Sequence, residues 1–386
     1  MTYFKRMNRY IFIIILILSF FSSCREAYDP KIDIAQGAIV VEGLVTDEVR
    51  SYEIKLSMAM PFGTSIKDSV IENARVSISD EIGDTFKLTQ TGSGYISDPS
   101  RFVGQPGRSY TLHIETPDGN IYESTPQILP VNDSKVSASA AFASKEILVQ
   151  DYSGQFSKTT IKGVDFMADI NYNSDSLPRF RFQPTITTEY SYTIYTYWPH
   201  TNQYVRSPVY FCWSASVPDE LVNITDEAHQ GSSNEIQKHS VCFIPTEYTH
   251  LVDYTDEFNG IIDSIIPAPI VNKIITLKQF RINDEAFEFY KNINSLLSAQ
   301  GKIFDPIAFQ IKGNIVCKNN PQKPALGFFE ASSAKTYYFF IRPGRDTVHT
   351  LENFNFPSPS CCVRWDSIPI LEGVPESPIP PSFWIN

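Results

Sequence analysis

The fold class of this chain is decided by the stretch YTLHIETPDGNIY, residues 110–122. Tyr110, Leu112 and Ile114 alternate with polar residues, which is the spacing of a strand with one buried face. The run from Pro117 to Asn120 has the composition of a tight turn, and Ile121 begins a return strand. The stretch therefore predicts an antiparallel β-hairpin.

Similar short runs surround this hairpin and are separated by glycine-containing turns. They predict seven or so strands in an Ig-like or transthyretin-like β-sandwich over residues 37–130. The strongest of these runs are Ala38–Val45, Tyr52–Met58, Ala74–Ser79 and the segment around Phe86 and Leu88.

The rest of the chain, residues 131–386, predicts a larger β-rich domain with one helix and a proline-rich tail from Phe354 to Asn386. We place the boundary between the domains in the small, polar stretch Asn132–Ser144, which predicts a break in regular structure. The predicted strands here are Val164–Tyr172, Arg179–Tyr197, Val209–Trp213, Val271–Ile282, Ala308–Val316 and Lys335–Arg342.

One segment of this second part has helical spacing. Asn283-Asp284-Glu285 forms an acidic start, and Gly301 marks the end. Phe287, Tyr290, Ile293 (or Asn294) and Leu297 recur at intervals of three to four residues. The pattern predicts a single helix that covers a sheet.

The N-terminus predicts export and lipid attachment. Lys5, Arg6 and Arg9 precede an apolar run, Tyr10–Phe21, that ends at Ser22-Ser23-Cys24. The run is shorter than the roughly 20 residues needed to span a bilayer. Residues 1–23 are therefore predicted to be a lipoprotein signal peptide, and residues 24–36 a lipidated Cys24 with a flexible tether. An uncleaved anchor and a soluble secreted protein are the alternatives.

The net charge of −11 argues against nucleic acid as a partner. An exported chain is expected to form disulfides. Apart from Cys24 the chain has five cysteines, so at least one thiol stays unpaired. Cys317 is a possible partner for Cys361 or Cys362, which are adjacent in the sequence. Zinc is the alternative, but no Cys-x-x-Cys spacing supports it. The candidates are Cys212, Cys242, Cys317, Cys361 and Cys362.

No sequence motif predicts catalysis, a cofactor or a metal site. His229, His239 and His250 are spaced about ten residues apart, which favours separate strands or loops over one metal site. The chain is therefore predicted not to be an enzyme.

One strand is unusually aromatic. Between Glu189 and His200, Tyr190, Tyr192 and Trp198 would share one face, and Tyr195 and Tyr197 the other. Tyr and Trp combine a large contact area with a polar tip, as is common at protein interfaces and sugar-binding surfaces. We treat the five residues as a candidate interface; core packing is the alternative.

Several stretches together resemble a known family. They are Ile39–Gly43, Cys212-Trp213, Ile303–Pro306, Gln310–Ile315 and Leu326–Ser332. In their order and spacing the chain is similar to the DUF4249-like family of Bacteroidota outer-membrane surface lipoproteins, which are encoded beside TonB-dependent receptors.

The resemblance implies a surface-exposed, lipid-anchored accessory subunit of a TonB-dependent (SusC-type) receptor, acting in uptake or in outer-membrane assembly. It implies no catalytic residues. The alternative is an independent glycan- or peptide-binding surface lipoprotein, and a hydrolase with a dispersed active site is a third hypothesis.

Five triplets place an aspartate, a hydroxyl residue and an apolar residue in series. They resemble the O-glycosylation acceptor pattern of exported Bacteroidota proteins, and their use would require surface exposure. The alternative is that Asp-Ser opens turns before strands. The candidate acceptors are Ser69, Ser176, Ser264, Thr347 and Ser367.

Overall fold

The structure is a computed structural model. It describes residues 37–59, 70–92, 94–150, 156–174, 177–198, 200–201, 203–206, 210–218, 222–225, 234–245, 264–299, 311–341, 348–350 and 376–377. The chain divides into Met1–Gln36 and Gly37–Asn386, and all of these residues belong to the second unit. Within them no helix has the length and apolarity needed to cross a membrane.

In these ranges the protein is mainly β with a single helix, α1 (Asp284–Ala299), which confirms the predicted fold class. The strands, in chain order, are β1 (Ile39–Val45), β2 (Glu53–Met58), β3 (Arg75–Asp80), β4 (Thr85–Lys87), β5 (Thr89–Thr91), β6 (Gly94–Ile96), β7 (Ser109–Glu115), β8 (Ile121–Ser124), β9 (Gln127–Ile128), β10 (Lys135–Gln150), β11 (Phe156–Asn171), β12 (Arg179–Trp198), β13 (Gln203–Arg206), β14 (Tyr210–Ser216), β15 (Asn223–Ile224), β16 (Glu235–Pro245), β17 (Ser264–Ile282), β18 (Ile315–Cys317), β19 (Ala325–Ala331), β20 (Ser333–Ile341), β21 (Val348–Thr350) and β22 (Glu376–Ser377).

The predicted hairpin is present as β7 and β8. Ile114 pairs with Tyr122, and the amide of Thr116 donates to the carbonyl of Asn120 at 3.0 Å. The alternating residues Tyr110, Leu112 and Ile114 are all buried. They belong to a core that joins two sheets, one in the order β19-β1-β2-β6-β5 and the other β18-β8-β7-β3-β4.

Two strands from the far end of the chain complete this first sandwich. β19 pairs with β1 in parallel along its whole length, from Ile39 opposite Ala325 to Val45 opposite Ala331. β18 pairs with β8 at the edge of the other sheet. Residues 37–130 therefore supply most, but not all, of the sandwich that the sequence predicted there.

The second sandwich consists of two sheets. A three-stranded sheet in the order β10-β11-β16 packs against a larger sheet in the order β21-β20-β17-β12-β14-β22. The break predicted over Asn132–Ser144 is wrong, because β10 begins at Lys135 and stays paired with β11 over sixteen residues. Small side chains misled the prediction: Ala138 lies opposite Ala168 and packs against the core. Whether such a segment forms a strand depends more on the burial of its side chains than on their intrinsic strand propensity.

Helix α1 lies where the two sandwiches meet. The side-chain oxygen of Asn283 accepts a hydrogen bond from the amide of Ala286 at 2.8 Å, which is an N-cap. Ala286 and Phe287 are buried against Phe280 of β17 and Phe328 of β19. The described helix spans Asp284–Ala299, and its start agrees with the predicted one.

Candidate functional site

A buried ion pair connects the two sandwiches. Arg181 of β12 donates from Nη2 to the two carboxylate oxygens of Glu330 of β19, at 3.0 and 3.2 Å. Only 13% of the Arg181 side chain and 2% of that of Glu330 are exposed. Tyr290 of α1 and Ser332 also donate to this carboxylate, at 2.5 and 2.6 Å. The carboxylate thus ties the helix to both sandwiches.

Aromatic rings surround the guanidinium of Arg181. Its central carbon lies 4.1 Å from the ring centre of Phe280 and 5.0 Å from that of Tyr290. Burial raises the pKa of Tyr290, and the nearby Glu330 carboxylate raises it further, so this phenol stays neutral. Burial alone would lower the pKa of Arg181, but the Glu330 carboxylate outweighs it, and the net change is a rise.

A cleft of about 390 Å³ lies beside the first turns of α1. Phe289 and Phe328 stack in it with ring centres 4.7 Å apart. Glu285 accepts from Gln127 of the first sandwich at 2.6 Å, so its charge has a structural role there. The lining residues are Asp284, Glu285, Glu288, Phe289, Asn292, Lys312, Gly313 and Phe328. In the part of the chain that the structure describes, no group of three His, Cys, Asp or Glu side chains could hold a metal ion.

Three of the stretches that carry the family resemblance meet next to this junction. A Cβ atom on Gly313 would collide with the carbonyl of Gly327, and one on Gly327 would collide with the carbonyl of Val41. Gly327 also has a positive φ of 88°. These glycines therefore allow β1, β19 and the segment before β18 to approach one another closely.

The strand predicted over Ala308–Val316 is wrong for residues 311–314, which have no strand structure. There the amide side chain of Asn314 makes the two hydrogen bonds that the backbone of a neighbouring strand would otherwise make. Its Nδ2 donates to the carbonyl of Phe329 at 2.8 Å, and its Oδ1 accepts from the amide of Phe329 at 2.9 Å. The sequence alone does not reveal this role, because the partner residue is fixed only by the fold.

The aromatic stretch lies on β12, as the sequence predicted. β17 pairs with it on one side; β14 and β13 pair with it on the other, with Tyr192 opposite Tyr210 and Tyr197 opposite Tyr204. The pairing with β17 shifts register around Tyr190, and β17 carries Pro267 and Pro269, which cannot donate to the ladder. The interface role of Tyr190, Tyr192, Tyr195, Tyr197 and Trp198 stays a prediction.

The three candidate cysteines within the described ranges, Cys212, Cys242 and Cys317, lie on different strands. Cys242 is buried in the core of the second sandwich. Cys317, on the edge strand β18, has a free thiol whose sulfur lies 3.4 Å from Oδ1 of Asn319. Cys212 pairs with Tyr190 in the ladder between β14 and β12. Cys24, Cys361 and Cys362 lie outside the described residues, so the disulfide prediction stays a prediction.

The three histidines and the five candidate O-glycosylation acceptors lie only partly within the described residues. His239 is buried; its Nε2 lies 2.6 Å from Oδ1 of Asn223 and its ring packs on Phe182. His229 and His250 lie outside the described residues. Ser264, the first residue of β17, lies opposite Tyr195. The other candidate acceptors, Ser69, Ser176, Thr347 and Ser367, fall outside the described ranges.

Comparison with known proteins adds one match. A family model described as "Domain of unknown function (DUF4249)" matches residues 25–338. No curated protein and no solved structure gives a significant match to the chain.

Proposed function

The chain belongs to the DUF4249 family, and from this premise we propose that it is a non-catalytic, surface-exposed outer-membrane lipoprotein. It would serve as the accessory subunit of a TonB-dependent receptor, in uptake or in outer-membrane assembly. The family match begins at residue 25, directly after Cys24, which supports a mature chain that starts with the lipidated cysteine.

The observation that carries the proposal is the position of the aromatic stretch within its sheet. The segment from Tyr190 to Trp198 lies on β12, where β17 pairs with it on one edge as far as Tyr195, and β14 and β13 pair with successive parts of its other edge. A central strand holds its side chains more precisely than a loop does, and rigid Tyr and Trp side chains lose little entropy on binding. This arrangement suits recognition of a large protein surface.

The residues of the family resemblance have structural uses. Val41, Gly313 and Gly327 pack backbone against backbone, Asn314 bridges two segments, and Glu330 holds the helix. Each of these residues has a structural use in the junction. The shared motifs therefore account for a common scaffold without invoking chemistry on a substrate.

The test uses the full-length protein and a TonB-dependent receptor of the same cell, both purified in mild detergent. We expect a stable complex, and we expect Cys24→Ser to lower the membrane-bound fraction of the protein in cells. Cys317→Ser is the matched control, and it should leave membrane attachment unchanged. A wild-type protein that does not associate with the receptor would contradict the proposal.

The second candidate function is independent binding of a glycan or a peptide, which the same aromatic strand favours. The two functions differ in what Trp198→Ala changes. For an accessory subunit the variant weakens association with the receptor. For an independent binding protein it lowers retention on immobilised outer-membrane polysaccharide or peptide and leaves receptor association intact.

A further inference from the structure

The hairpin of β10 and β11 extends beyond the second sandwich as a two-stranded arm. Among the described residues, β16 pairs with β11 as far as Pro245, opposite Gly163. From Ser144 opposite Lys162 to Gln150 opposite Phe156, the two strands pair only with each other among the described strands. Seven successive pairs make this arm about 20 Å long.

Both faces of the arm are in contact with solvent. Residues 144–146 and 157–160 are exposed although successive side chains point to opposite faces, and Phe142 at the base is 61% exposed. A two-stranded ribbon of this kind is at best marginally stable in water by itself. A binding partner would supply the missing contacts.

The arm carries a small net positive charge on an otherwise acidic chain. Between Ser144 and Lys162 the chain has Lys145, Lys158 and Lys162 against Glu146 and Asp151, a net charge of +1. Since the whole chain carries −11, the remainder carries −12. Lys158 and Glu146 lie 3.3 Å apart as an exposed pair, which contributes little to stability.

The lysines lie on both faces of the arm. Lys162 is opposite Ser144, and Lys158, opposite Leu148, lies four register pairs further along the same face. Lys145, opposite Ile161, lies on the other face. A flat lipid surface could contact only one of these faces at a time, whereas a groove in a protein contacts both.

We propose that this arm inserts into a groove of the partner receptor that is lined with carboxylates on both walls. The proposal rests on the proposed function and names the second contact of the same complex, apart from the aromatic strand. Carboxylates facing Lys145 on one wall and Lys158 and Lys162 on the other would steer the arm into place and fix its register.

The test is charge reversal in the full-length protein, with the variant K145E/K158E/K162E. The matched control is K55E/K87E/K323E, which reverses three exposed lysines elsewhere in the described part. Binding to the purified receptor is measured at low and at high salt, and binding to phosphatidylglycerol vesicles is measured in parallel. The arm lies outside the core, so both variants should keep the wild-type unfolding midpoint.

We expect the arm variant to bind the receptor at least tenfold more weakly, mainly through slower association, and the control to bind within about twofold of wild type. The difference should shrink at high salt. Equal binding of both variants overturns the arm proposal and leaves the receptor partnership standing. The same is true if the arm variant loses vesicle binding only, or if it self-associates without loss of receptor binding. A wild-type protein that does not bind the receptor overturns both proposals.

Discussion

Arg181 of β12 and Glu330 of β19 approach to 3.0 Å between Nη2 and Oε1, in an interior position where almost no water reaches either side chain. Removal of one member leaves the other charge buried without its counter-ion, which costs about 3–5 kcal/mol of unfolding free energy. Two sandwiches and the helix depend on this pair, so its loss should loosen the whole junction.

We therefore predict that Glu330→Gln and Arg181→Met each destabilise the protein by about 3–5 kcal/mol in urea unfolding. The double variant Arg181→Met/Glu330→Leu should recover much of the loss, because neither charge is then buried alone. Arg75→Met, which breaks an exposed pair with Glu115, should cost less than about 1 kcal/mol. A single variant as mild as Arg75→Met would contradict this view of the junction.

The close approach of β19 to β1 gives a second prediction. Gly327→Ala should destabilise the protein by at least about 4 kcal/mol, because the added methyl group collides with the carbonyl of Val41. Gly107→Ala is the control that measures the cost of a positive φ at alanine without such a clash. Gly107 also has a positive φ, of 89°, but nothing lies within 4 Å of an added Cβ, so about 1–2 kcal/mol is expected. Equal losses for the two variants would show that the clash is relieved.

The pH dependence of stability should reveal Lys273, which is buried in the second sandwich near Cys242. Burial lowers the pKa of Lys273 to about 8 from an ordinary value near 10.5. Between these values the unfolded chain binds more protons than the folded chain, so the unfolding free energy rises with pH. The total gain is on the order of 3 kcal/mol at most.

We expect urea unfolding between pH 7.5 and 9.5 to show this rise in the wild-type protein and not in Lys273→Met. Lys55→Met, at an exposed position of β2, should keep the wild-type slope. Higher pH must be avoided, because burial raises the pKa of Tyr122 and of Tyr337 to about 12. Above pH 10 these two groups oppose the trend, since the unfolded chain then loses their protons first. A flat wild-type profile would refute the prediction.

The side chain of Asn283, the N-cap of α1, accepts one hydrogen bond through Oδ1 and donates two through Nδ2. Asn283→Ala removes the bond from the amide of Ala286 and the bonds from Nδ2 to Gln127 and, at 3.4 Å, to the carbonyl of Ile128, and it should cost about 1–2 kcal/mol. Asn283→Asp keeps the cap acceptor and loses only the bonds that Nδ2 donates. Its loss in thermal or urea unfolding should therefore be the smaller one; an equal or larger loss would mean that the cap contributes nothing.

Local patterns in the sequence predicted much of the fold. The alternation at Tyr110, Leu112 and Ile114 identified the hairpin, and the acidic start at Asp284 identified the helix almost to the residue. β10 was not predicted at all, and in its first half the reason is that its small side chains resemble a linker, although they pack against β11. Short-range periodicity has no information about such long-range packing.

The candidate site depended even more on distant partners. Arg181 and Glu330 are 149 positions apart, and nothing in the local sequence of either pairs them. The aromatic stretch on β12 was visible because all of its residues are contiguous. By contrast, the contact of Gly313 with Gly327 emerged only from the folded chain, although the resemblance had already marked both segments.

The parallel pairing of β1 with β19 has a consequence for how this protein is made. The strand at Ile39–Val45 is among the first parts of the folded region to leave the ribosome. Its neighbour, Ala325–Ala331, is synthesised nearly three hundred residues later. Until then the hydrogen-bonding edge of β1 is open, and chain closure over such a distance is slow. A nascent or truncated chain that stops at residue 130 should therefore be an incomplete, aggregation-prone sandwich that needs chaperone protection. It should not behave as an independently folded domain.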